Sequence, residues 1–240
     1  MKNYNLSAAL LLFFTFCFQS CIYIDPDGVG PRGPINTQIW NVNNFNQVSA
    51  SDALKIYIRQ GPTRNVEARG KQKDLDDLNI RVENDKLLVD YKKNWFDLRE
   101  TVSVFITIPE IVSVDFTGAV KGDIQGFDHL YGLDIRLSGA SVAAFSGRTK
   151  NLSFDLNGAS RLEMQGIGDR LEGQLSGASE LDSKNYPVDE AILELSGAST
   201  AKVWVYDRLK VRASGASTVK YKGSPQVTQD LSGGSQVKKD

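Results

Sequence analysis

A short motif recurs through the C-terminal half of the 240-residue chain and constrains its fold more than any other feature. A small polar residue precedes Gly-Ala, or Gly-Gly in the last copy, and the glycines are Gly118, Gly139, Gly158, Gly177, Gly197, Gly215 and Gly233. Successive glycines are 21, 19, 19, 20, 18 and 18 residues apart. Near-copies at such a period are typical of solenoids, in which each repeat forms one coil stacked on the next.

The residues around each motif alternate between apolar and polar, which is typical of β-strands. Positions two and four before the glycine are mostly apolar, as in Leu137 and Ile135, whereas the position between them is polar, as in Arg136. A second set of glycines follows at Gly126, Gly147, Gly166 and Gly223. We therefore predict an all-β parallel solenoid whose coils of about 19 residues bend at the motif and again about eight residues later.

The composition of the motif predicts a sharp corner, so its glycines are interpreted as structural. Glycine permits the positive φ that such a bend often needs. We expect the Ala to face a crowded interior. We expect the Ser to hydrogen-bond nearby backbone or the Ser of the next coil. The 117–240 region is the predicted solenoid.

The preceding residues, 37–116, are also rich in β-forming segments. This half forms either a separate unit or one continuous domain with the solenoid. Candidate strands are 53–60, 64–70, 78–82, 86–92 and 101–108, and residues 71–78 suit a short helix. Asn84-Asp85 is predicted to be a hairpin turn, because both residue types tolerate left-handed backbone.

The N-terminal residues predict export. Residues 1–20 resemble a signal peptide, with an apolar run at 8–18 that is too short to span a bilayer comfortably. Ser20-Cys21 resembles the lipidation site of bacterial lipoproteins; the alternative is an ordinary signal peptide cut nearby. Residues 21–36 have the Pro and Gly content of a tether. We predict a lipid-anchored protein of the cell envelope, on the outer membrane.

Composition argues against several classes of site. The charges nearly cancel, with 28 basic and 29 acidic residues, so nucleic acid is not an expected partner. His129 is the single histidine, and both cysteines, Cys17 and Cys21, lie in or beside the leader. We expect no metal site, no cofactor and no catalytic residue. A polysaccharide hydrolase or lyase of the β-helix type is the alternative, since Asp115 and Asp155 flank Arg136 in one predicted outward column.

Aromatic residues outside the predicted core mark a candidate binding surface. Trp204 occupies a column otherwise holding Gln125, Ser146, Gln165, Lys184 and Lys222, and Tyr206 lies two residues further on. Such a pair could stack on sugars; packing against the N-terminal half is the alternative. Trp95 and Phe96 are open to the same two interpretations. A second outward column runs from acidic to basic: Asp123, Ala144, Glu163, Asp182, Lys202, Lys220 and Lys238.

The leader, the segments 45–48, 54–61 and 87–91, and the serial Ser-Gly-Ala-Ser corners together resemble the head GIN domain family over about residues 40–235. Members of that family are described as auto-transporter adhesins of Gram-negative envelopes, a domain of unknown function. The resemblance implies a right-handed parallel β-helix and an envelope location. It carries no catalytic residues onto this chain.

The leading hypothesis is an adhesin or binding module that presents a rigid solenoid face to a polysaccharide or protein of the envelope or the extracellular space. The alternatives are a carbohydrate-active β-helix enzyme and a structural envelope protein without a soluble ligand. The ligand, the membrane leaflet and the oligomeric state do not follow from the sequence.

Overall fold

A computed structural model describes residues 34–92 and 99–240, and it confirms the all-β solenoid. The strands that precede the repeats are β1 (Ile35–Trp40), β2 (Gln47–Ala50), β3 (Lys55–Gln60), β4 (Asn65–Lys71), β5 (Leu78–Glu83), β6 (Lys86–Tyr91), β7 (Ser103–Ile108) and β8 (Ser113–Phe116). The helix α1 (Gln72–Asp77) follows β4. The repeats contain β9 (Lys121–Leu137), β10 (Val142–Leu156), β11 (Arg161–Leu175), β12 (Glu180–Leu195), β13 (Thr200–Ala213), β14 (Thr218–Gly223), β15 (Gln226–Leu231) and β16 (Gln236–Lys239).

Each repeat forms one coil with two arms. In β10 the first arm is 142–146, the chain bends over 147–150, and the second arm is 151–156. Side chains alternate in both arms, so that Ala143 and Phe145 of the first arm and Phe154 and Leu156 of the second are buried. Neighbouring coils pair in parallel, β9 with β10 and so on to β13. The predicted inward columns are therefore confirmed in the full coils.

The N-terminal half extends the same two walls with strands that are not consecutive in sequence. Along the first arms, β9 pairs with β3, β3 with β7, β7 with β4, and β4 with β1. Along the second arms, β9 pairs with β8, β8 with β2, β2 with β6, and β6 with β5. The buried side chains of both halves form one hydrophobic cluster. All the described strands thus belong to one sheet around one core.

The corners confirm the bend but reverse the predicted orientation of its side chains. Ala140 and its equivalents are exposed, whereas Ser141, Ser160, Ser179, Ser199 and Ser217 are fully buried. The expectation that Ala faces the interior was wrong, because the turn directs the fourth residue inward, where Val120 stands in the first coil. The hydroxyl of Ser199 donates to the carbonyl oxygen of Ser196 at 2.8 Å, which satisfies it inside the core.

Two constraints act together on the corner glycines. All seven have positive φ, from 67° to 85°. Successive corners also stack closely: the amide of Ala198 donates to the carbonyl of Gly177 at 2.7 Å. A Cβ on Gly177 would lie 2.5 Å from the carbonyl oxygen of Gly158. No other residue meets both the backbone conformation and this approach without strain.

The structure contains an earlier corner, at Asp52, that the sequence motif did not predict. Asp52 has φ 69°, and its carbonyl accepts from the amide of Ala119 at 2.9 Å, as a corner glycine does in later coils. The segment Ser51-Asp52-Ala53 is a degenerate copy of Ser-Gly-Ala with Asp at the left-handed position. The motif therefore begins one coil before its first glycine.

Most of the predicted elements are present with boundaries shifted by one or two residues. The turn at Asn84-Asp85 is confirmed, with φ of 51° and 59°. The short strands β1 and β2 were not predicted, and β1 includes the last two residues of the 21–36 tether segment. The bend expected at Gly126 has φ 86° and lies within β9, where Phe127 and Leu130 are buried.

Candidate functional site

A groove runs along the outer side of the second arms. It consists of three adjoining cavities of about 310, 400 and 530 Å³ that share lining residues. Gln174 and Glu194 line the first and second, and Asp134, Ser153 and Glu172 line the second and third. We call this the second-arm groove; its principal lining side chains are Tyr131, Asp134, Arg136, Ser153, Asp155, Arg170, Glu172, Gln174, Ser176, Glu194, Arg212 and Asp230.

The groove follows directly from the coil geometry. Outward positions of the second arm recur every coil in register, as Arg136, Asp155 and Gln174 show. Parallel strands are about 4.8 Å apart, so each column presents one side chain per step along the solenoid axis. Because the outward residues differ from coil to coil, the groove combines a regular spacing with varied chemistry.

Ion pairs hold several of the charged side chains in place. Arg170 contacts Glu190 at 2.8 Å and Glu172 at 2.9 Å, and Arg212 contacts Glu194 at 3.1 Å. The hydrogen bond that Arg170 donates to Glu172, together with the charge of Glu190, holds the pKa of Arg170 above its ordinary value. Such exposed pairs contribute little to stability. They orient carboxylate oxygens and guanidinium donors along the groove.

Gln174 lies where the first two cavities meet and is exposed. Its side-chain amide makes no hydrogen bond to any residue in 34–92 or 99–240, although it can offer two donors and an acceptor. The groove thus has an unengaged amide at its centre, flanked by oriented charged groups. At the other end Tyr131 is 73% exposed and contributes an aromatic surface.

The carboxylates considered for catalysis lie in register with Arg136, as predicted. Although it lies between them, Arg136 forms no ion pair with Asp115 or Asp155 in the described part of the chain. Arg136 instead pairs with Asp134 on its own strand, because side chains two apart on a strand share a face. Asp155 accepts a hydrogen bond from the side-chain amide of Asn157 at 2.7 Å.

The outward column of the first arm also has the predicted register. Its residues pair in the order Asp123, Ala144, Glu163, Asp182, Lys202, Lys220 and Lys238. The acidic members each have a basic partner: Asp123 binds Arg59, Glu163 binds Arg161, and Asp182 binds Lys184. At the basic end, Lys202 binds Glu180 at 3.0 Å. Lys220 and Lys238 form no ion pair within the described part of the chain.

Trp204 lies on the outer side of the first arm, half-buried, with Tyr206 at 46% exposure. Their ring centroids are 5.8 Å apart, and the ammonium of Lys222 lies 3.7 Å from the Trp204 ring centroid. The prediction that Lys184 lies beside Trp204 in the column was wrong, because the register of β12 and β13 shifts between Ser183 and Pro187. Pro187 pairs with Trp204 instead.

The remaining candidates are His129 and the residues outside the described part of the chain. Cys21, Trp95 and Phe96 lie outside the described residues, as does the 1–20 leader. His129 lines a surface cavity of about 350 Å³ at the bend, together with Lys150 and the groove residue Tyr131. Within residues 34–92 and 99–240, no group of three His, Cys, Asp or Glu side chains is placed to hold a metal ion. The helices in that part of the chain are not long and apolar enough to cross a membrane.

Solved structures share this architecture. A "putative adhesin" from Bacteroides fragilis NCTC 9343 is 18% identical with TM-score 0.78, over 89% of this chain and 100% of that one. A "putative lipid binding protein" from Parabacteroides distasonis ATCC 8503 is 15% identical with TM-score 0.71, over 87% and 97%. A "putative adhesin" from Parabacteroides merdae ATCC 43184 is 16% identical with TM-score 0.68, over 87% and 97%. At these identities the likeness shows the fold.

No curated protein matches the chain in sequence. A family model described as "Putative auto-transporter adhesin, head GIN domain" matches residues 44–225. The match covers the strands β2 to β14, the first six corner glycines and the second-arm groove up to Arg212, in agreement with the resemblance seen in the motifs. The chain therefore belongs to the head GIN domain family.

Proposed function

We propose that this protein is a lipid-anchored envelope adhesin whose second-arm groove binds an extended polysaccharide. The observation that carries the proposal is the continuity of the groove, since its three cavities share lining residues and together cross the second arms of several successive coils. A linear polymer fits such a site better than a compact molecule does. Repeated outward positions would let successive units of the polymer meet similar geometry.

The chemistry of the lining supports a sugar ligand. Hydroxyl groups of sugars both donate and accept hydrogen bonds, and the groove offers the amide of Gln174, the hydroxyls of Ser153 and Ser176, and oriented Arg and Glu groups. Tyr131 adds an aromatic face at one end. An extended protein segment is the alternative occupant, and it is an outcome of the test below.

Lipid binding, named for one structural neighbour, is less well supported here. An acyl chain needs an apolar cavity, whereas large side chains fill the interior of this solenoid, among them Phe116, Phe127, Phe145 and Tyr186 at 1% exposure or less. Polar side chains line most of the first and second cavities of the groove, whereas Val112, Tyr131, Leu133 and Leu152 also line the third. These features favour a hydrated ligand.

The test is binding of the full chain to an array of purified polysaccharides, with product analysis on every polymer that binds. We expect retention of at least one polymer with no new reducing ends or unsaturated uronides. Release of such products would contradict the proposal of a binding module and favour a β-helix enzyme. Binding to envelope protein alone would replace the polysaccharide with a protein segment, and no binding would favour a purely structural role.

The anchor has its own test. We expect Cys21→Ala to move the protein from the membrane fraction to the soluble fraction, because two or more acyl chains hold a protein stably on a bilayer. Cys17→Ala is the matched control, since Cys17 lies in the leader that export would remove. Retention of Cys21→Ala in the membrane fraction would contradict lipid anchoring at this residue.

A further inference from the structure

The basic end of the first-arm column is a run of positive charges with few counter-charges among the described residues. Lys202, Lys220 and Lys238 are paired in register on three successive strands, and Lys222 lies two residues beyond Lys220. Like charges on neighbouring strands repel and destabilise a sheet. In other columns neighbouring coils place opposite charges together, as Arg161 with Glu180 and Arg212 with Glu194 show. The like-charged neighbours Glu163 and Asp182 each have a basic partner, Arg161 and Lys184.

Counter-charges are scarce around these lysines. Lys202 has one acidic partner, Glu180 at 3.0 Å. Lys220, Lys222 and Lys238 are exposed and form no ion pair with any residue in the described ranges. Their field therefore extends into solvent, and a ligand that supplies the anions would relieve the repulsion between them.

Aromatic rings adjoin the same lysines. Trp204 pairs with Lys222 across β13 and β14, and the Lys222 ammonium lies over its ring at 3.7 Å. Tyr206 lies 5.8 Å from Trp204 and is 46% exposed. We call this surface the lysine patch: Lys202, Lys220, Lys222, Lys238, Trp204 and Tyr206.

We propose that the lysine patch is a second binding site, separate from the second-arm groove, for a linear anionic polysaccharide such as a sulfated or uronate polymer. The ladder Lys202, Lys220 and Lys238 spans about 10 Å along the solenoid axis at the strand spacing. A polymer lying along that axis would place anionic groups beside successive lysines. The exposed face of Tyr206 offers a surface for a sugar ring next to them.

A linear polysaccharide explains the patch better than a membrane surface does. Peripheral attachment to a bilayer uses apolar side chains that enter the interface. Here Trp204 is half-buried and covered by Lys222, so Tyr206 is the ring left exposed. Regularly spaced lysine ammonium groups beside the ring and hydroxyl of Tyr206 suit a hydrated polyanion.

The probe is dextran sulfate, with uncharged dextran as its control. We expect the full chain to bind dextran sulfate and not dextran, and to bind less as NaCl rises from about 0.05 M to about 0.5 M, because salt screens exposed charges. Removal of three charges by Lys220→Gln, Lys222→Gln and Lys238→Gln should weaken binding at least about tenfold, a loss of about 1.4 kcal/mol or more. Lys222→Gln alone serves if the triple variant does not fold.

The matched control removes the same charge elsewhere. Lys121, Lys150 and Lys210 are exposed and lie at different places on the coils, and their combined change to Gln should alter binding less than about twofold. The melting temperature of the patch variant should stay level or rise, since the repulsion between lysines on neighbouring strands is removed. Equal loss of binding in both triple variants would overturn the proposal in favour of a general charge effect.

Two further probes separate the sugar from other anions. Tyr206→Ala should weaken binding of dextran sulfate and leave binding of inorganic polyphosphate unchanged. Equal effects on both probes would reduce the patch to a simple cation cluster and overturn the role of the ring. The third probe is a vesicle of phosphatidylglycerol. If the vesicles bind through the same lysines and dextran sulfate does not bind, the patch is a membrane-binding site and the proposal is overturned. The groove experiments use Gln174 and Glu194, so failure of one site leaves the other testable.

Discussion

The corner and the second-arm groove lie in the same coils and differ in what they repeat. The corner repeats residue types: Gly stacks on Gly, and a small residue turns inward at each step. The groove repeats positions and varies residues, so that Arg136, Asp155, Gln174 and Glu194 follow one another in a single column. Packing therefore explains the conspicuous motif, and the variable positions between its copies are where we propose that recognition occurs.

The inward column should be the least tolerant region. Leu156 is fully buried in the second arm of β10, one residue from the groove residue Asp155. We expect Leu156→Asp to lower the free energy of unfolding by about 5 kcal/mol, because it buries a charge without a partner. Denaturant unfolding of Asp155→Ala provides the control, with an expected change of about 1 kcal/mol or less. An unchanged midpoint for Leu156→Asp would contradict its inward orientation.

The corner glycines should rank next. Gly177→Ala places a Cβ 2.5 Å from the Gly158 carbonyl oxygen on a backbone with φ 76°. We expect a loss of about 2–4 kcal/mol in unfolding free energy. Gly234→Ala is the matched control, since its nearest atom is 3.7 Å away, and it should change stability by less than about 0.5 kcal/mol. Similar values for the two variants would show that close stacking does not constrain the corner.

The buried serines offer a smaller test within the corner itself. Ser199 donates to the Ser196 carbonyl at 2.8 Å, whereas the hydroxyl of the buried Ser141 has no partner in the described structure. We expect Ser199→Ala to cost about 1 kcal/mol and Ser141→Ala to be neutral or stabilising. Thermal unfolding of the two variants checks the difference. If Ser141→Ala costs as much as Ser199→Ala, the hydroxyl has a partner that this account omits.

Much of the solenoid was predictable because each coil repeats a local pattern. Alternation around Leu137 and Leu156 predicted the inward columns, and Asn84-Asp85 predicted its turn. The side-chain directions at the corner were not predictable from composition, because Ala and Ser are both small and the turn alone decides which points inward. Gly173 interrupts the inward column because Phe154 of the preceding coil fills the space beside it. A Cβ on Gly173 would lie 2.7 Å from the Phe154 ring.

Long-range pairing accounts for what the sequence did not reveal. The strand β2 has four residues and is defined by its parallel partners β6 and β8 more than by its own pattern. The register shift between Ser183 and Pro187 moved the neighbour of Trp204 from Lys184 to Pro187. The groove is formed by side chains from several coils, so no single segment of the sequence predicts it.

The central claim is that the second-arm groove, and not the repeated motif, binds the ligand. The measurement that tests it most directly is the affinity of the full chain for a polysaccharide selected on the array, in two matched double variants. One changes Gln174 and Glu194 to Ala in the groove; the other changes Gln165 and Glu163 to Ala on the first arm. All four side chains are exposed, so both variants should keep the wild-type melting temperature.

We expect the groove variant to lose at least about tenfold in affinity, equivalent to about 1.4 kcal/mol. The first-arm variant should bind within about twofold of the wild type, because its residues lie away from the groove. Equal affinities for the two variants, or a larger loss in the first-arm variant, would contradict the assignment of the groove as the binding surface.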